Sequence, residues 1–159
     1  MARTPSMNKS AVAIEMFGMD DFLRDLRRAP KETRKAVSKG SKEIADTVLV
    51  RMKQRSRTVF HASQYQIIVP SLRAVQGTVP KIKAGGAKKA AVSRKNRPAS
   101  GDIFFGVEFG GGRRSTTRQF PHHRGRKGYN LFPTIIKMQG FIKKEYTDQI
   151  ERVLKGLTR

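Results

Sequence analysis

Six cations crowd one loop of this chain: Arg113, Arg114, Arg118, Arg124, Arg126 and Lys127, with the rings of Phe120 and Tyr129 among them. Arginine outnumbers lysine five to one here, and its planar fork matches the paired oxygens of a phosphate or carboxylate. The chemistry on offer is anion recognition. Three uses of the loop stay open: a solvated surface with Phe120 and Tyr129 tucked into the core, contact with a protein neighbour, or direct contact with DNA. Lys88 and Lys89 lie in a second basic stretch, glycine-containing and built of small residues, with the composition of a segment that orders on contact.

Catalytic chemistry finds little to use. His122 and His123 are adjacent, and the only other histidine is His61. Zinc needs three or four ligands, and the chain has no cysteine, so no metal site is expected. Neither Gly85-Gly86 nor Gly110-Gly111-Gly112 leads into the Gly-Lys-Ser/Thr of a phosphate-binding loop. Asp102 and Glu108 share a strand parity with nothing evident to tune them as an acid/base pair. Glu108 is expected to pair with an arginine, as a buried carboxylate requires a partner. A non-enzymatic protein without cofactor or small-molecule substrate is the reading that remains.

Charge points the same way. Among 159 residues, 34 Lys+Arg face 12 Asp+Glu, a formal net charge of +22. Such a chain repels itself and needs an anionic partner. The acids are unevenly spread: between Thr47 and Lys144 only Asp102 and Glu108 interrupt a run of positive charge. No apolar stretch approaches the roughly 20 residues a membrane span needs, and Ala11–Phe17, containing Glu15, is too short for a signal segment. Absence of cysteine fits a protein that stays in a reducing cytosol before use.

The elements that would position these residues follow from hydrophobic period. Residues 1–10 are polar and flexible, and 11–157 form one domain. Ala11–Phe17 reads as a strand. Gly18-Met19-Asp20-Asp21 then opens a helix carrying Phe22, Leu23 and Leu26, which Ala29-Pro30 interrupts. Val37, Ser41, Ile44, Val48 and Met52 recur at spacings of three and four, a long helix predicted to end near Arg55. Arg51, Lys53 and Arg55 then fall in its last turn, where cations complement the helix dipole. Gln66–Val69, Ser71–Val75 and Gly77–Lys83 read as short strands. Ile103, Phe105, Val107 and Phe109 alternate, predicting a central strand ended by three glycines. Pro133 opens a closing helix with the stripe Ile135, Met138, Ile142, Tyr146, Ile150, Val153 and Leu157. The expected class is α+β: an antiparallel sheet of about four strands packed by two long helices, with basic loops at about 84–100 and 111–129.

Four of these features, in order, give the chain a resemblance to the small neck proteins of long-tailed bacteriophages with non-contractile tails, the head-to-tail joining or tail-completion components. Gly18–Leu23 resembles the family's entry into its first helix, and Ala36–Ser56 its long helix. Gly106-Val107-Glu108-Phe109-Gly110 resembles its central strand with a Glu-Phe-Gly, and Leu131-Phe132-Pro133 its proline step into the last helix. Ser56–Ser63 departs from the pattern, lacking the proline and glycine that mark the link after the first long helix in many relatives. The resemblance implies a virion protein made in the bacterial host cytoplasm. It would form a ring, of six copies, between head-closure proteins and the tail tube, with genomic DNA passing through. Glu108, Phe109, Gly110, Phe132 and Pro133 would be structural, and the basic loops would grip adjoining rings or DNA. A tail terminator capping the tube is the near alternative. From another class, a general nucleic-acid-binding protein would have its charge as its function; a small toxin-like nuclease lacks a catalytic constellation.

Overall fold

Proline has no amide hydrogen to continue a helix, and the first helical run breaks at Ala29-Pro30 as its position requires. The computed structural model describes residues 19–86, 98–112 and 119–157. Within them, α1 (Met19–Arg28) leads across Pro30 into α2 (Lys31–Val59), followed by α3 (Ala62–Ile68), β1 (Arg73–Val75), β2 (Lys81–Lys83), α4 (Ser100–Phe109) and α5 (Leu131–Leu157). The fold is mostly helical. The expected sheet of about four strands is replaced by a single antiparallel pair, β1 with β2, in the register Ala74 opposite Ile82.

Two sequence stretches account for the difference. Gln66–Val69 continues a helical turn from α3 instead of extending. Ile103 to Phe109 is helical because the buried set is Ser100, Phe104, Val107 and Glu108, spaced by four, three and one. Alternation would have buried Phe105, yet Phe105 is 44% exposed and Phe104 only 5%. In so apolar a run both periods find partners, and the Asp102 carboxylate decides for the helix by accepting the Ala99 N–H in its first turn. The strand expected at Ala11–Phe17 and the flexible segment 1–10 lie outside the described residues.

The framework is the α2–α5 pair. The stripe Val37, Ser41, Ile44, Val48 and Met52 is buried as its spacing predicts, against Ile142 and Tyr146 of α5 and the core of Ile68, Leu72, Phe104, Val107 and Leu131. The helices run antiparallel, since Asn130 before α5 meets Ser56 late in α2, while Gln149 late in α5 meets Val37 early in α2. At that second crossing the Gln149 amide lies flat on Gly40, where a Cβ would overlap it, and Gln149 Nε2 donates to Val37 O at 2.6 Å. The hairpin locks the pair in the middle: Thr78 O accepts both Ser41 Oγ from α2 (2.9 Å) and Tyr146 Oη from α5 (2.6 Å).

Candidate functional site

A helix begins with amide hydrogens that no preceding turn can satisfy, and α5 begins inside the protein. Its buried end is met by Glu108, the penultimate residue of α4. Glu108 is fully buried; its Oε2 accepts the N–H groups of Asn130 (3.2 Å) and Leu131 (3.0 Å), and its Oε1 that of Phe132 (3.1 Å). The expectation that an arginine would pair with Glu108 is thereby corrected: the partner is the positive end of a helix dipole, presented as backbone N–H groups. Burial pushes the Glu108 carboxyl above the ordinary glutamate range, and the amides of Leu131, Phe132, Asn130 and Tyr129 pull part of the way back.

The other structural residues gather at the same joint. The Phe109 and Phe132 rings pack with centroids 5.2 Å apart. Gly110 ends α4 at φ +83°, a left-handed conformation, with its N–H on Gly106 O, and a side chain there would strike His122 O. Pro133 stands in the first turn of α5, where its missing N–H costs nothing. Sequence reasoning missed Asn130, which is buried, donates from Nδ2 to Ser56 Oγ at 2.7 Å and so ties the joint to α2. A polar Asn just ahead of an apolar helix entry was the available signal.

The joint also fixes the basic loop. Gly111 N–H donates to Pro121 O and Arg124 N–H to Phe109 O, so the chain after α4 is stitched to the segment 121–124. Tyr129 Oη donates to His122 O at 2.6 Å, and the Arg124 guanidinium sits 4.8 Å over the Tyr129 ring. Arg55, on α2, donates from Nε to Tyr129 O at 3.1 Å. Arg124 and Lys127 are exposed, and Lys127 stands in a short 3-10 turn (Gly125–Lys127) with Arg126. The two histidines at 122 and 123 are exposed as well. Arg113, Arg114, Arg118, Lys88 and Lys89 lie outside the described residues.

Helix α2 runs on to Val59, so Arg51, Lys53 and Arg55 are not in its last turn; Arg57 is. Of the three, Arg55 is directed away from the helix end, onto the carbonyl of Tyr129. Among the described residues the ion pairs are elsewhere: Arg24–Asp21, Lys35–Glu32, Lys42–Asp46, Lys144–Asp148 and Lys155–Glu151 lie on α1, on α2 no later than Asp46, or on α5 from Lys144 onward. Because α2 and α5 are antiparallel, the described part of the molecule has one mixed-charge end and one cationic end. No protein-family model, curated protein or solved structure matches the chain.

Proposed function

We propose that this protein is a structural, non-enzymatic component of the neck of a long-tailed phage with a non-contractile tail. Copies of it form a ring that joins the DNA-filled head to the tail tube. The observation that carries the reading is the joint between the two short sequence steps on which the resemblance rests. Glu108 of Glu-Phe-Gly caps the helix that Leu131-Phe132-Pro133 opens, so residues 22 to 24 positions apart act as one unit. Glu-Phe-Gly stands at the end of a helix and not on a central strand, so the reading draws on this joint and on charge, not on a shared sheet.

Charge supports it through the needs of assembly. A ring of chains each carrying +22 repels itself until acidic neighbouring rings or DNA phosphates screen it. Arg113, Arg114 and Arg118 are the connectors to those neighbours. Electron microscopy of the purified protein, alone and mixed with head-closure or tail-tube protein, tests the proposal. Rings that attach to tail ends are the expected result, and persistent monomers that join no tail in any mixture would overturn it. Charge reversal by Arg113→Glu, Arg114→Glu and Arg118→Glu should block joining and leave the subunit folded.

A further inference from the structure

We infer that the cationic end holds a preformed binding face for the phosphate backbone of duplex DNA, built from Arg51, Arg55, Arg124 and Lys127 around Tyr129. It does not use the basic stretches at 88–89 and 113–118 and does not rest on the neck reading.

Contiguity comes from Tyr129. Its carbonyl holds Arg55, its ring carries Arg124, and Lys127 follows Arg124 by three residues through the 3-10 turn. Arg51 lies one turn before Arg55 on the exposed side of α2, about 6 Å along the axis. All four side chains are exposed, and none pairs with a carboxylate among the described residues. Glu108, which takes the amides that follow Tyr129, is fully buried.

The way Arg55 is held is specific. Among the described residues its side chain makes one hydrogen bond, from Nε to a neutral carbonyl oxygen. That contact fixes the guanidinium without neutralising it and leaves both terminal nitrogens for an incoming pair of oxygens. Arg57 repeats the device on the opposite flank of α2, with Nε on Tyr65 Oη at 3.4 Å. Orientation before binding lowers the ordering cost of a contact.

Phosphate of nucleic acid is favoured over an acidic protein surface by what the centre of the face lacks. Protein interfaces centre on buried apolar side chains; here the ring at the centre, Tyr129, is covered by the Arg124 guanidinium and ringed by exposed cations. Single-strand binding would need an open aromatic platform for stacking. Tyr129 offers none, because Arg124 covers its ring and His122 O takes its hydroxyl. What remains is sequence-independent contact with a double-stranded backbone.

The test is fluorescence anisotropy of the full chain with a labelled random-sequence duplex across a salt series. Four phosphate contacts predict that affinity falls about 100-fold as salt rises from about 50 to about 200 mM, beyond any slope due to the arms. The double variant Arg51→Gln/Lys127→Gln, whose side chains hold no hydrogen-bond or ion-pair partner among the described residues beyond the Gln54 side chain, should shallow the log–log slope by about 1.8. A control of equal charge loss at the mixed end, Lys39→Gln/Lys143→Gln, should shift affinity less than about 2-fold, since distant exposed charges are screened. Equal losses in the two variants would overturn the face, reducing it to net charge. Displacement of the duplex by polyglutamate at equal charge concentration would overturn the choice of partner in favour of acidic protein. A protein that forms neck rings yet binds no duplex refutes this inference alone; one that binds duplex through this face and forms no rings refutes only the neck reading.

Discussion

Glu108 and Leu131 are 23 residues apart in sequence and joined by a 3.0 Å hydrogen bond from the Leu131 amide to Glu108 Oε2. Through that bond and its neighbours the end of one helix becomes the cap of the next. Replacing Glu108 with alanine leaves the buried amides of Asn130, Leu131 and Phe132 without acceptors. Loss of a helix cap and exposure of buried donors predict a destabilisation of about 2 kcal/mol or more, read from the midpoint of a urea melt.

The same carboxyl gives stability a pH dependence of defined sign. Burial raises its folded-state pKa above the unfolded value, so over the window between the two the native state holds a proton that the unfolded chain has released. Stability from this group is therefore full below the unfolded value and is lost as pH rises through the folded one. Urea melts of the wild type and of Glu108→Gln, which cannot titrate, should show their difference moving against the wild type as pH climbs from about 4 to about 7. A difference independent of pH in that range would contradict the assignment.

Tyr146 makes the corresponding prediction at the alkaline end. Its hydroxyl donates to Thr78 O, and burial pushes its pKa up to about 12. Stability from the neutral phenol holds below the ordinary tyrosine value of about 10 and is lost as pH rises toward the folded value. Tyr146→Phe should cost about 1 kcal/mol at neutral pH, through the lost hydrogen bond, and lose less than the wild type on going to high pH. Circular dichroism during alkaline titration measures both.

Gly40 and Gln149 should be energetically coupled. Alanine at position 40 gains up to about 1 kcal/mol of helix propensity. It also displaces the Gln149 amide and forfeits the bond to Val37 O. In the wild type the two effects oppose each other; in a Gln149→Ala background only the gain remains. A double-mutant cycle on thermal or urea stability should therefore give a coupling of about 1 kcal/mol, and additivity would contradict the observed contact.

The long helices were legible in the sequence because their buried positions recur over many turns: nothing but a helix satisfies Val37, Ser41, Ile44, Val48 and Met52 together. Ser100 to Phe109 was not legible. Within it the seven residues Ile103 to Phe109, five of them apolar, fit a period of two as well as 3.6, and the choice was made by Asp102 and by burial of Glu108 against a helix that starts 23 residues later. Glu108 itself was marked as buried and in need of a partner, but a backbone amide leaves no mark in sequence, whereas arginines were plentiful. Arg55 shows the converse. Its position near a helix end gave it a sufficient local explanation, and only the fold brings Tyr129, 74 residues away, against it.

Segregation of charge along the α2–α5 axis has a kinetic consequence. At a distance the described residues act as a positive charge placed off their own centre. A polyanion exerts a torque on such a body before they touch, so productive encounters arrive cationic end first, at a rate that falls with ionic strength. Two copies drawing together side by side in the same orientation meet their strongest repulsion at that end. An anion bound at that end removes this repulsion.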